Sequence, residues 1–505
     1  MKQFIYDYQN RLTAMTAPTG GTRSWEYDVM GRVTALTDEN GNRTEYEYSP
    51  NGNLISVRDA MGNVAYYDYD TMGHLTAIFR ADDETGIKQK TTYLYDLMGL
   101  PSVVTDALGY EEYYQYNLNG KMIRKTDRDG YVTDYGYTPT GEIGHIDYAD
   151  GKSVRYEYDA LRHLAKVQDW NGEIRIENDV VGRAVKVQYQ DGKEVSYTYG
   201  KNGERTGITY PDGKTVRYLY DENLRLSALE DGEDTITYNY DDMGRLTQKN
   251  FPNGCHTAYA YNLQGQLETL THADKEGVLD AYTYRYDLTG NKTAIEKQRR
   301  GLPEESGLYT YGYDPLGRLS KVTKDGEMLR TYGYDSFGNR THMTEGERET
   351  AYTYNAMNQL MSHMDSMSEE TYAYDRRGNL SLIMENGSLK NSYTYGALNR
   401  LEQAVNGNGE AAAYEYNGLG HRVGKVVGIM KGLDGSYPAA QSMDIPDPMV
   451  MMNSDRTCTE IRDRYSLLAI QVTRVTGLQR PTMPRRGNTG LNWEGLPGWM
   501  RIKVL

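Results

Sequence analysis

Cysteine is nearly missing from this 505-residue chain, with Cys255 and Cys458 the only two. That leaves no cysteine framework of the kind that staples small secreted folds, and no metal-ligand spacing. Two cysteines do not settle the redox compartment. Phenylalanine and tryptophan number four each, and Val, Ile, Leu and Phe together number 87. With a net charge of −15, so few aliphatic side chains would ordinarily mark a chain unable to bury a core. Basic residues (56) are outnumbered by acidic ones (71), which argues against a general nucleic-acid binder, since phosphate contacts need clustered Lys and Arg. No apolar run approaches the ~20 residues of a membrane-spanning helix. The opening MKQFIYDYQNRLTAMT shows no signal-peptide core. What the chain has instead is tyrosine, 48 of them, each able to bury a large ring while its hydroxyl finds a polar partner.

The tyrosines are periodic. Tyr6, Tyr27, Tyr48, Tyr69, Tyr95, Tyr116, Tyr137, Tyr158, Asn178, Tyr199, Tyr220, Tyr240, Tyr261, Tyr286, Tyr313, Tyr334, Tyr354, Tyr374, Tyr395 and Tyr416 anchor 20 units, mostly 20 or 21 residues apart. Four residues after the anchor, 15 units carry glycine, and two residues before it 17 carry a second tyrosine. Fixed recurrence of this kind marks a repeat architecture. The structural anchors expected from it include Tyr27 with Gly31, Tyr48 with Gly52, Tyr69 with Gly73, Tyr240 with Gly244, Tyr313 with Gly317, Tyr334 with Gly338, and Tyr374 with Gly378.

One unit reads as strand, turn, strand, turn. In Thr44-Glu45-Tyr46-Glu47-Tyr48 both rings fall on one face and both glutamates on the other. Asp-x-x-Gly then makes a turn, because Asp can bond backbone groups ahead of it and glycine reaches positive φ. A second short strand such as Arg318–Val322 follows, and Asp-Gly or Asn-Gly closes the hairpin. Twenty units predict an all-β array of about 40 antiparallel strands. A sheet that large must curl into a spiral antiparallel sheet or a hollow shell, with tyrosines of successive units forming an aromatic ladder. Three longer spacings, around Ala81–Glu84, His272–Glu276 and Arg299–Pro303, read as loop insertions.

Tyr27-Asp28-Val29-Met30-Gly31-Arg32-Val33, Tyr240-Asp241-Asp242-Met243-Gly244-Arg245-Leu246 and Tyr313-Asp314-Pro315-Leu316-Gly317-Arg318-Leu319 resemble the YD repeat of the Rhs family. That family includes bacterial wall-associated proteins, toxin-complex shell subunits and teneurins. The resemblance covers residues 1–427. It implies a non-enzymatic, hollow β-shell of a secreted or cell-surface protein, enclosing or presenting a C-terminal toxin in competition between cells. The implied cargo is not in this chain, and no cofactor is implied. The alternative is an adhesion module binding cell-wall glycans or other carbohydrate through its tyrosine-rich face.

Residues 428–505 depart from the pattern, with ten basic and seven acidic residues and only two tyrosines. This tail is expected to be irregular or partly disordered, and to be either a degraded gene end or, less well supported, a short toxin. Asp447-Pro448 stands without the Gly-rich surroundings of the family's self-cleaving core, so no cleavage residues are assigned. The first unit starts without a cap, so the chain reads as part of a longer protein.

No catalytic constellation emerges. The eight histidines are scattered, and His74 and His421 occupy the arginine place of the repeat, which points to a structural role. Cys255 and His256 are adjacent and, on a strand, would face opposite ways. The glycine-rich units lack the Lys-Ser/Thr signature and the strand-to-helix context of a phosphate loop.

Overall fold

The computed structural model describes residues 2–82 and 86–429. They form forty strands, from β1 (Gln3–Tyr6) to β40 (Arg422–Ile429). Every strand pairs antiparallel with its neighbours in sequence, β1 with Leu12–Thr16 at one end and Glu410–Tyr416 with β40 at the other. The result is one unbroken meander that winds as an open spiral. Residues 430–505, on which the expectation for the tail falls, lie outside the described residues.

The Asp-x-x-Gly turn works as a small hydrogen-bonding device. In the second unit, Gly31 N–H donates to the Asp28 carbonyl at 3.0 Å, and Asp28 N–H to the Arg32 carbonyl at 3.0 Å. Asp28 Oδ1 accepts from the N–H groups of Met30 and Arg32, each at 2.9 Å. The glycine sits in the left-handed region, at φ +85° for Gly31 and +74° for Gly317. The extra residue shifts the register between Glu26 and Tyr27, a bulge repeated in each unit. Most closing turns at the other end of the hairpin share this geometry, as at Asp127–Tyr131. Two-residue hairpins occur too, as at Asp325-Gly326 (φ +52° and +89°).

The five units without glycine keep the same backbone. Asn10, Arg162, Leu224, Asn358 and Asn399 all have φ between +54° and +69°. Asparagine tolerates this region, but leucine does not. Leu224→Asn is therefore expected to stabilise the protein by about 0.5–1 kcal/mol, because little packing is lost from a side chain already 46% exposed. Gly317→Val should cost about 2 kcal/mol, since a Cβ there meets nothing closer than the Asn291 side chain at 3.8 Å and the penalty is conformational. Thermal unfolding of the two variants should move in opposite directions. Equal shifts would remove backbone strain as the cause.

The aromatic ladder takes a different form from the one expected. Among the described residues, no two anchor tyrosines touch ring to ring. Fourteen of them instead donate their hydroxyl to the carbonyl of the residue that opens the second strand of the preceding unit. Tyr27 reaches Leu12 and Tyr334 reaches Leu319, both at 2.7 Å. In the one unit without a tyrosine anchor, Asn178 Nδ2 donates to Leu164 O at 2.8 Å. Between successive anchors lies the repeat arginine. Arg318 Nε is 2.6 Å from Asp314 Oδ2, its Nη1 donates to Asp335 O at 3.2 Å, and its guanidinium lies 4.6 Å from the Tyr334 ring centre. The rungs are thus Asp–Arg–Tyr relays, because the second strand of each unit separates one anchor from the next.

Two of the three insertions also differ from simple loops. His272–Asp274 end a strand, Leu267–Asp274, that pairs with Gly277–Tyr286 and lengthens that hairpin. Arg299 ends a strand and is followed by a single 3-10 turn, Pro303–Glu305. Cys255 is buried; Cys458 lies outside the described residues. The wall is one sheet thick, so deeply buried side chains are few. One cluster of them, Val154, Val167 and Ile174, packs with Tyr148, Tyr156 and Trp170.

Candidate functional surface

The anchors named from the sequence are not brought together into a pocket. Tyr27, Tyr48, Tyr69, Tyr240, Tyr313, Tyr334 and Tyr374 each open their own turn, spaced around the spiral. What the fold does bring together is the two edges of the sheet. Number the units 1 to 20 from Tyr6 to Tyr416. The closing turn of each unit from 1 to 4 and from 6 to 8 meets the Asp-x-x-Gly turn of the unit twelve places later.

Thr19 of unit 1 accepts a hydrogen bond from Gln264 of unit 13. Asn40 Nδ2 of unit 2 donates to Asp287 Oδ2 and Thr289 Oγ1 of unit 14, both at 3.0 Å. Arg318 of unit 15 lies over Met61 of unit 3, Nη2 to Sδ 3.1 Å. Arg80 Nη2 donates to Ser336 O at 2.6 Å, while the Ser336 hydroxyl donates to Asp82, joining units 4 and 16. Arg377 of unit 18 reaches Asp129 at 2.8 Å and Asp127 at 3.5 Å, both in unit 6. Lys152 of unit 7 stands 3.7 Å from Glu402 of unit 19. Trp170 Nε1 of unit 8 donates to Tyr416 O at 2.9 Å, and Gly418 N–H donates to Asp169 Oδ2 at 2.5 Å. One turn of the spiral therefore takes twelve units.

The seam is tight where it is apolar. A Cβ on Gly418 would stand 2.5 Å from Val154 Cγ2 and 2.9 Å from Asp169 Cβ, so the glycine lets unit 20 close onto the best-buried part of unit 8. The seam residues carry no period of their own, and sequence reasoning missed them. One signal was available. Unit 18 reads Tyr-Asp-Arg-Arg-Gly, and the paired arginines depart from the residues at most other turn tips.

The turns are also the main electrostatic feature. In Asp7, Asp28, Asp159 and Asp241 the backbone N–H four residues on holds the carboxyl below its ordinary range. Burial opposes this, and the Arg or His side chain at the same position adds to it. His74 plays the arginine part in unit 4, with Nδ1 2.9 Å from Asp70 Oδ2 and its ring stacked on Tyr95 at 4.9 Å. His163 does the same in unit 8, 3.2 Å from Asp159 Oδ2, an assignment absent from the sequence reading.

These carboxyls have folded pKa values below their unfolded ones. Their stabilisation is complete above the unfolded value near 4 and disappears as pH falls through the lowered folded values. Repetition should make the effect cumulative. The melting temperature is expected to hold from about pH 7 to 5 and to fall steeply below about pH 4. A profile flat down to about pH 2.5 would show that the turn aspartates contribute nothing net.

Among the described residues, no group of three or more His, Cys, Asp or Glu is placed to hold a metal, and no helix is long and apolar enough to cross a membrane.

Comparison with known proteins agrees with this construction. Residues 6–44 and 48–85 match the RHS Repeat family model, and residues 283–432 match the Teneurin YD-shell model. The chain is 25% identical over 258 residues to the double-stranded DNA deaminase toxin A of Burkholderia cenocepacia, covering 45% of this chain and 16% of that protein. It is 26% identical over 221 residues to the tRNA3(Ser)-specific nuclease WapA of Bacillus spizizenii, covering 43% and 8%. Among solved structures, the Photorhabdus luminescens Tc holotoxin pore superposes with a TM-score of 0.65 at 17% identity, over 84% of this chain and 25% of that one. The TcdB2–TccC3 complex without its hypervariable C-terminal region gives 0.66 at 16%, over 85% and 26%. The chain thus spans less than a fifth of those two curated relatives and about a quarter of those two solved chains.

Proposed function

We propose that this chain, an Rhs-family YD-repeat protein, serves as a section of wall in a β-shell that encloses or presents a toxic C-terminal segment delivered from a secreted or surface-bound protein to other cells. The observation that carries this reading is the seam. A binding module needs an accessible face, but the side chains conserved from unit to unit in this array are spent on joining units to each other, and the edges on joining one spiral turn to the next. That is the economy of a wall. The repeat shell is a scaffold and not a catalytic domain. The two toxin relatives match over stretches longer than the 78-residue tail, so the likeness falls largely on the array, and their named activities are not carried onto it.

The test is protection of a passenger. A protease-sensitive segment of about 100 residues, the size of a small domain, is fused after Leu505. In an enclosing shell it resists digestion until the seam is opened by Arg377→Ala. Digestion as fast as that of the free passenger would overturn enclosure. The carbohydrate-binding alternative has less support, because fourteen anchor hydroxyls are already engaged with backbone carbonyls. Selective binding on a glycan array would restore it.

A further inference from the structure

Several cations on the face that carries the anchor tyrosines have a carboxylate. Lys125 stands 3.3 Å from Glu112, Arg299 3.1 Å from Asp280 and Arg330 2.5 Å from Glu345. Units 14–16 also hold four on that face that have none. Lys292 and Arg340 stand opposite the anchors Tyr286 and Tyr334, the place of leucine in most units. Lys297 and Lys324 lie on the two strands that flank Tyr309, Lys292–Arg299 and Leu319–Lys324. Among the described residues, none of these four cations pairs with a carboxylate.

Each rests on a ring instead. Lys297 Nζ is 3.8 Å and Lys324 Nζ 5.8 Å from the centre of the Tyr309 ring. Lys292 Nζ is 4.8 Å from that of Tyr284, and the Arg340 guanidinium 4.3 Å from that of Tyr352. A ring face attracts a cation through its quadrupole and leaves the net charge in place. Hydrogen bonds take up little of it. Lys324 donates to the Glu304 carbonyl, and Arg340 Nε is buried with no partner among the described residues. Burial holds the Lys297 ammonium below its ordinary range, opposed by Glu305 and reinforced by Arg299 and Lys324. What the patch lacks is carboxylates.

The spacing indicates how a partner supplies them. Strands lie about 4.8 Å apart, so those of Lys297 and Lys324 are about 10 Å apart and that of Arg340 about 10 Å further on. An unfolded chain in the polyproline II form rises about 3.1 Å per residue with three residues per turn, which puts every third side chain on one side about 9 Å apart. Phosphates fit less well. The rings already carry cations and are not open to stack bases. A chain of net charge −15 also repels a dense polyphosphate more than a sparse row of carboxylates.

We propose that the tyrosine face of units 14–16 is a docking surface for an unfolded acidic polypeptide segment, whose carboxylates pair with Lys297 and Lys324 beside Tyr309 and reach Lys292 or Arg340 beyond. Charge complementarity selects this occupant. Docking does not depend on enclosure, because a peptide added in solution reaches the face of an open spiral.

The experiment is fluorescence anisotropy of labelled peptides titrated with the full chain. The probe repeats Glu-Pro-Pro over about 12 residues, and its control repeats Gln-Pro-Pro. The acidic probe should bind at least about tenfold more tightly than the control, the difference expected from charge-assisted bonds. Lys297→Gln with Lys324→Gln should lose about that factor, while Lys297→Arg with Lys324→Arg retains binding. Arg285→Gln with Lys321→Gln removes the same charge from exposed positions on the opposite face of the same units, and should leave the affinity unchanged. Melting temperatures verify that the variants fold, and the comparison of the two peptides needs the parent alone. Equal binding of the two peptides, or none, would overturn the proposal. So would an equal loss in the opposite-face variant, or a thymidine oligonucleotide of the same length that binds more tightly than the acidic probe.

Discussion

Arg377→Ala is expected to destabilise the seam by about 3–5 kcal/mol, the range for removing one partner of a buried ion pair. The side chain is 5% exposed and saturated with partners. Its Nε stands 2.8 Å from Asp129, and its guanidinium lies 4.7 Å from the centre of the Tyr131 ring. It also donates to the carbonyls of Gly396 at 2.8 Å and Tyr395 at 3.2 Å. It therefore ties unit 18 both to unit 6 across the seam and to unit 19 along the sheet. Alanine leaves Asp127 and Asp129 facing each other without a counter-charge. Burial, opposed by a backbone bond from Tyr131 and by Arg377, already holds the Asp127 carboxyl above its ordinary range. With Arg377 gone, the folded state binds a proton at Asp127 more tightly than the unfolded state does. The deficit should then shrink as pH falls through that raised folded value. Hydrogen exchange should accelerate first at residues 127–131 and 374–378 and leave hairpins away from the seam protected. Uniform acceleration along the chain, or none, would show that Arg377 is not a seam residue.

The second large effect lies along the sheet. Tyr334→Ala removes a part-buried ring that sits beneath Arg318 and donates its hydroxyl across to the preceding unit. The expected cost is about 3 kcal/mol, the low end for deleting a large aromatic side chain. Tyr334→Phe keeps the ring and loses only the bond to Leu319 O, for about 1 kcal/mol. Each unit buries surface chiefly against its neighbours, so the alanine variant should loosen units 15 and 16 together. Denaturant midpoints measure the sum, and hydrogen exchange at the 313–319 and 334–340 turns locates it. If the phenylalanine variant lost as much as the alanine one, the hydroxyl and not the ring would hold the units together. If neither differed from the parent, the Asp–Arg–Tyr relay would carry no stability.

The repeat was fully legible because every part of it is local. Asp28 bonds N–H groups two and four residues ahead, and Gly31 takes the φ that closes the turn, so a few residues suffice to specify the hairpin. Leu224 shows how strongly the array imposes that geometry, holding φ +60° against its own preference. The relay was only half legible. Tyrosine periodicity revealed the anchors, but whether rings stack on one another or under arginines depends on the strand between them, which only the register shows. The roles of His163 and Asn178 became visible once the arginine and tyrosine positions had known partners.

The seam was not legible, for a different physical reason. Its contacts join residues about 250 positions apart, and which residues meet depends on a small rotation per unit added up over twelve units. No single residue encodes that sum. It is set by the twist of every strand pair and the bulge in every turn. The sequence by itself determined the all-β class, the unit, its turns and the side chains that lock one unit to the next, because those interactions span a few residues to one repeat. Only the tertiary structure decided the twelve-unit pitch, and that Arg377 and Gly418 close one spiral turn upon another.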